Sequence, residues 1–298
     1  MSEPFLTSKG LLQGCCLSPL LFRSFFEVSL RDWTKKCGRM GFQIRENVFI
    51  SNLLFADDQV IVAQESDDAD YMCRKLQDEY SKWGLQINLN KTEYMTTSND
   101  EIEIEGHNIK KVTNFKYLGS ILQQDGSSKL EIDRRICHGK RAIGMLNSLL
   151  WSSNILVKTK KLIYKTIIES VMLYGAETWT INRVQEGKLR ATEMDFWRRS
   201  AKKSRREKIK NVEIRRLMDV EKDVVETLNK KRLQWYGHIR RMNDGRLPKE
   251  IMQWIPSGRS RKGRPNINWL DGVRRCMGQK GLQDEDALDR DLWRRKIK

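Results

Sequence analysis

The chain has 298 residues, 39% of them apolar, enough for two modest domains with real cores. Its formal charge of +17 is unevenly spread: residues 1–125 hold 14 Lys and Arg against 18 Asp and Glu, a net of −4, and residues 126–298 hold 42 against 21, a net of +21. The six cysteines include no C-x-x-C pair, which excludes a zinc finger and the disulfide framework of a small secreted domain, and no apolar run reaches membrane-spanning length. The richest run, Leu17 to Leu30, is broken by Ser, Arg and Glu. With no signal peptide at its start the sequence is expected to be soluble and intracellular, nuclear or cytoplasmic. A mildly acidic half joined to a strongly basic one suits a protein that holds a metal in one part and a polyanion in the other.

In chain order, Gly10-Leu11-Leu12-Gln13-Gly14-Cys15-Cys16 reads as a loop, and Ser18-Pro19 as a helix start with Ser as cap and Pro in the first turn. The spacing of Leu21, Phe25 and Val28, with Trp33 beyond, predicts one buried face on a helix ending near Gly38. Leu53 to Ala63 reads as two buried strands with Asp57-Asp58 as the turn between them. Adjacent carboxylates drawn toward a core call for a counter-cation, and Mg²⁺ is the natural one because it takes oxygen ligands and few protein carboxylates. Ser66-Asp67-Asp68-Ala69-Asp70 opens a second amphipathic helix with Met72, Leu76, Tyr80 and Trp83 on its stripe and Gly84 at its end. The acids of its first turn are read as structural.

Ile87 and Leu89 predict a strand that leads to Lys91; Glu101 to Glu105 alternate as a solvent-facing strand turned back at Gly106-His107-Asn108; Phe115 to Leu122 form the next strand. From Ser127 the period becomes helical, with Ile132, Ile136, Ile143, Leu146 and Leu150 on one stripe and Ile163, Ile167, Val171 and Tyr174 on another. Trp197 to Lys210 then places Arg198, Arg199, Lys202, Lys203, Arg205, Arg206, Lys208 and Lys210 around the single acid Glu207, a dense run expected on a helix that tracks phosphates. The tail interleaves Trp235, Trp254, Trp269 and Trp293 with bases, the aromatics being more readily a small core than a stacking surface. A Gly/Ser/Pro-rich loop there carries Arg259, Arg261, Lys262 and Arg264.

Four of these segments carry a resemblance. Gln13-Gly14-Cys15-Cys16-Leu17-Ser18-Pro19-Leu20-Leu21-Phe22, Phe55-Ala56-Asp57-Asp58, Gly84-Leu85-Gln86-Ile87-Asn88-Leu89-Asn90-Lys91-Thr92-Glu93 and Tyr117-Leu118-Gly119 are similar, in this order, to conserved blocks of reverse transcriptases. The Phe-Ala-Asp-Asp form with this lysine block resembles the enzymes of non-long-terminal-repeat (LINE-type) retrotransposons. Gln234 to Ile239, Gly263-Arg264-Pro265 and Trp269-Leu270-Asp271 resemble the end of such reading frames less specifically. Cys16 departs from the proline usual at its position.

The resemblance implies an α+β chain: a partial polymerase palm of antiparallel sheet with packed helices over residues 1–125, a helical thumb-like region over 126–195, and a basic nucleic-acid-binding region over 196–298. It implies that Asp57 and Asp58 hold Mg²⁺ or Mn²⁺, and that Lys91 lies near the triphosphate. Gln13, Gly14, Ser18, Pro19, Phe55 and Ala56 would line the nucleotide and template, and Tyr117, Leu118 and Gly119 would grip the primer. The partners would be an RNA template, a DNA primer and, in the intact family enzyme, a deoxynucleoside triphosphate.

The family's other metal-binding aspartate lies on a strand before the Gln-Gly block; here Glu3 is the only acid before Gln13, and its context does not match. The expectation is therefore a partial RNA-directed DNA polymerase, inactive alone, whose metal binds weakly. The alternative is a non-catalytic RNA- or DNA-binding protein that uses the basic half, with the palm as scaffold.

Overall fold

A computed structural model describes residues 10–255 and 268–298. Arg259, Arg261, Lys262 and Arg264 lie outside the described residues, as does Glu3. The fold is α+β, and it divides into two compact units, Met1–Thr113 and Asn114–Lys298.

In the first unit, helix α1 (Ser18–Cys37) is followed by the antiparallel ribbons β1 (Phe42–Arg45) with β2 (Val48–Ile50) and β3 (Asn52–Phe55) with β4 (Asp58–Ile61). Helix α2 (Ser66–Lys82) comes next, then the two-residue strands β5 (Glu93–Tyr94), β6 (Glu103–Ile104), β7 (His107–Asn108) and β8 (Lys110–Lys111). Strand pairing is limited to separate two-stranded ribbons among the described residues, and only β5 with β8 is parallel.

The core of this unit lies between α1 and α2. Phe26, Leu30, Trp33 and Cys37 of α1 meet Met72, Leu76 and Tyr80 of α2, and the Trp33 indole donates to the Met72 carbonyl at 2.8 Å. The buried stripe of α1 is therefore turned from the one read in the sequence: Leu21, Phe25 and Val28 stay exposed. Both stripes have helical spacing, and the one that can bring the large Trp33 ring against α2 is the one that is buried. Ser18 is not the cap; it is the first helical residue, and its hydroxyl donates back to the Leu12 carbonyl at 2.8 Å. Trp83 is exposed and packs edge-on against Phe25.

No strand forms over 87–91, where Asn88 instead closes a turn by accepting the amides of Lys91 and Thr92. The hairpin β6–β7 turns at Glu105-Gly106, both at positive φ, one residue earlier than expected. It buries Ile102, Ile104 and Ile109 in a small satellite core while its glutamates remain outside.

The second unit opens with the antiparallel hairpin β9 (Asn114–Tyr117) and β10 (Ser120–Gln123) in place of a single strand. Helices α3 (Lys129–Met145), α4 (Asn147–Trp151) and α5 (Val157–Ile163) follow, then a π-helical turn (Tyr164–Glu169) that runs into α6 (Ser170–Met172). After them come α7 (Arg183–Ser200), α8 (Asn211–Leu217), α9 (Val224–Arg240), α10 (Leu247–Gln253), α11 (Trp269–Lys280) and α12 (Arg290–Lys296). Asn182 with Gln185 on α7 and Asn268 with Asp271 on α11 form reciprocal caps at the helix starts.

Ile132, Ile136 and Ile143 of α3 and Leu150 of α4 enter the main core, as their spacing predicts. The next stripe differs: Tyr164, Ile168 and Met172 are buried, while Ile167 and Tyr174 are exposed. Both stripes recur every four residues, so spacing alone does not choose between them, and the one that carries the Tyr164 ring against Phe196 and Trp197 is the one that is buried. The basic run is not one helix. Helix α7 ends at Ser200, a turn with Lys202 at positive φ follows, and a short 3₁₀ segment covers Arg205–Glu207. In the tail, Trp293 is core, packed with Leu233, Tyr236 and Val273 and donating to the Leu233 carbonyl at 2.9 Å; Trp269 is partly buried against the same cluster.

Candidate functional site

The loop before α1 is a tight turn in which Cys15 N donates to the Leu12 carbonyl at 3.3 Å and Gly14 takes φ 92°. That geometry is a type II turn, whose third residue must be at positive φ, and it accounts for the glycine. Gln13 and Gly14 are exposed, as is Pro19, and Ser18 ties the helix to the loop through Leu12.

The aspartates sit on the hairpin β3–β4. Phe55 pairs with Asp58 across it, so the two-residue turn is Ala56-Asp57 and Asp58 is the first residue of the return strand, one position from the expectation. Ala56 takes φ 53°, a conformation that costs an L-residue about 1–2 kcal/mol. The strands are not buried as their composition predicts: Leu53, Leu54 and Phe55 are exposed, and only the Gln59 and Ile61 side of β4 reaches the core, with the Tyr80 hydroxyl donating to Gln59 Oε1 at 2.5 Å. Asp57 and Asp58 are both exposed. Their oxygens fit Mg²⁺, which usually takes one or two protein carboxylates and leaves its other positions to phosphate and water. No group of three or more His, Cys, Asp or Glu side chains gathers as a metal site among the described residues. Lys91 is exposed on the Asn88 turn.

Tyr117-Leu118-Gly119 belongs to the second unit, at the tip of β9–β10, with Leu118 and Gly119 at φ 47° and 79°. This turn is fastened from behind. The Gly119 carbonyl accepts from Arg134 at 2.5 Å and from Arg135 at 2.6 Å, the Leu118 carbonyl accepts from the Tyr174 hydroxyl at 2.9 Å, and the Arg135 guanidinium lies 4.4 Å from the Tyr174 ring. Glu131, 2% exposed, holds both arginines and accepts the Ile121 amide at 3.0 Å. Burial would raise its pKa, but the bonds from Arg135, the Ile121 amide and Arg134 outweigh burial and hold the carboxyl below its ordinary value.

None of these four supporting residues stands out in the sequence as functional. The available signal is Glu131 and Arg135 at i,i+4 beside the buried Ile132 and Ile136, which places a charge pair on the border of a core face.

Of the basic run, Arg198, Arg199, Lys203 and Arg205 line a groove of about 1040 Å³ in the second unit, and Lys140 and Lys188 lie on it as well. Two carboxylates, Asp133 and Asp195, face these six cations. Asp133 pairs with Lys188 at 2.7 Å, and Asp195 with Arg199 at 3.1 Å and Arg205 at 3.4 Å. Lys202 and Arg206 do not line the groove.

Residues 1–122 match the family model of reverse transcriptases (RNA-dependent DNA polymerases). The matched segment spans the Gln-Gly turn, the aspartate hairpin, the Lys91 turn and the Leu118-Gly119 turn. A transposon-derived protein of Caenorhabditis elegans is 27% identical over 245 residues, covering 76% of this chain and 85% of its own length. That share of the chain exceeds the first 122 residues, so the likeness continues into the basic half. No helix among the described residues is long and apolar enough to cross a membrane.

Proposed function

We propose that this chain is part of a LINE-type retrotransposon reverse transcriptase. In this reading residues 1–125 supply the metal hairpin and primer turn of the palm, 126–195 a thumb and 196–298 a basic nucleic-acid-binding region. The observation that carries it is the hairpin: two adjacent carboxylates stand exposed at its tip, inside the segment that matches the polymerase family. Asp57 and Asp58 would hold Mg²⁺ or Mn²⁺, and Lys91 would meet the triphosphate. Gln13, Gly14, Ser18, Pro19, Phe55 and Ala56 would face nucleotide and template, and Tyr117, Leu118 and Gly119 would hold the primer end. A bound metal pair would activate the primer hydroxyl and stabilise the leaving oxygen.

One turn supplies only one side of such a pair, so the chain alone should bind metal weakly and add no nucleotides. The test is primer extension on RNA and DNA templates with Mg²⁺ or Mn²⁺, beside an Asp57→Asn, Asp58→Asn double variant. No incorporation by either protein is expected. Incorporation lost only in the variant would show that the opposing carboxylate is supplied after all.

A second reading, nucleic-acid binding without catalysis, is favoured by the cation-lined groove. Under either reading most of the affinity for an RNA–DNA template–primer should reside in residues 126–298, and log K should fall by about 0.7 to 0.9 per phosphate neutralised as log salt rises. A flat salt response would overturn both.

A further inference from the structure

The groove of the second unit has features that charge alone does not require. Trp151, the last residue of α4, lines it and is 39% exposed although its ring is among the largest apolar surfaces available for burial. It is also lined by α7 and the turn after it, which present Arg198, Arg199, Lys203 and Arg205.

Helices α4 and α7 are fixed to each other. Arg199 reaches from α7 to Asn147 Oδ1 at the start of α4, at 2.5 Å, while its Nε holds Asp195. Below them the buried Lys160 donates to the carbonyls of Leu150, Ser152 and Ser200, joining the end of α4 to the end of α7. Little conformational entropy therefore remains to be lost when a ligand enters.

A groove lined by cations and by a part-exposed indole, on helices tied to each other, has the two elements that bind an unpaired strand: a phosphate track and a stacking platform. The volume of about 1040 Å³ lies at the upper end of small-ligand sites, which span roughly 300–1,000 Å³, so it suits a few linked nucleotides. A paired helix would present its bases edge-on inside its own stack, leaving Trp151 nothing to stack against.

We propose that this groove is a single-strand site, with Trp151 stacking on an unpaired base and Lys140, Arg199 and Arg205 following the flanking phosphates. The proposal rests on the reading that the basic half binds nucleic acid, and it adds the kind of strand bound and the residue that selects it.

The test uses the full chain and fluorescence anisotropy with three labelled probes: a 12-nucleotide oligodeoxythymidylate, a 12-nucleotide oligouridylate and a 12-base-pair DNA duplex. Trp151→Ala should weaken binding of both single strands by roughly 5-fold to 150-fold, the range expected for loss of one stacked base, and leave the duplex unchanged. Trp151→Phe, which keeps a ring in place, should recover most of the loss. Lys140→Ala should weaken all three probes and reduce the single-strand salt slope by about 0.7.

If Trp151→Ala binds single strands like the parent while Lys140→Ala still weakens them, the stacking site is overturned but the nucleic-acid reading survives. Equal losses on single strand and duplex, or a Trp151→Phe variant as weak as Trp151→Ala, also overturn it. If the parent chain binds none of the probes in a salt-dependent way, the underlying reading fails with it.

Discussion

A buried carboxylate whose oxygens meet two guanidinium groups and a backbone amide contributes stability only while it is ionised, and Glu131 is such a group. Its folded pKa is depressed, so the contribution is fully present above the unfolded value of about 4.3 and is lost as the pH falls through the lower folded value. Glu131→Gln should therefore cost up to about 3 kcal/mol at pH 7, since it leaves two arginines partly uncompensated. The gap to the parent should narrow below pH 4. Melting temperatures of the two proteins at pH 7 and pH 3.5 give the comparison, and a gap of constant size would remove the ionised carboxylate from the account. The aspartate pair was legible in the sequence because two charges between apolar runs break a local pattern. Glu131 was not, because a Glu and an Arg four apart look like any exposed helical pair until the fold buries them.

Lys160 shows the same logic between elements. Burial lowers its pKa, the charge of Lys202 adds to the effect, and three carbonyls at the ends of α4 and α7 accept hydrogen bonds from its ammonium. These are the groups a helix leaves unsatisfied at its C-terminus, and a cation there also complements the helix dipole. Lys160→Met should cost about 2–4 kcal/mol by denaturant melt, because the carbonyls lose a charged donor and remain desolvated. It should also weaken nucleic-acid binding, since Trp151 and Arg199 stand on the two elements it joins; a variant equally stable and equally tight would show that the joint is idle. At this scale the sequence showed most helices but not always their faces. Periodicity marks a stripe without naming its partner, which is how Leu21, Phe25 and Val28 could be read as buried when Phe26, Leu30 and Trp33 are. The same ambiguity put the stripe after Ile163 one residue off, and periodicity cannot anticipate the break in the basic run at Ser200. The hairpin tips moved by single residues because turn position depends on which residue accepts positive φ, and here Ala56 and Glu105 do so without being glycine.

For the whole molecule, composition indicated the partition between an acidic and a basic half, and the fold keeps it in two compact units. It did not show that the acidic unit leaves Leu17, Leu20, Leu21, Phe25, Leu54 and Phe55 facing solvent. The net charge of +17 opposes the association of such faces between copies. Salt works against that protection. The screening length falls from about 10 Å at 0.1 M to about 3 Å at 1 M, and an excluded anion such as sulfate strengthens apolar contact as well. Light scattering should stay low in 0.15 M sodium chloride and rise in 1 M ammonium sulfate, and Leu20→Lys with Leu21→Lys should delay the rise; equal scattering from parent and variant would absolve the α1 face. The chain then has a solubility window bounded by salt at both ends. Below it, nucleic acid carried over from the cell stays attached, and above it the protein precipitates with itself.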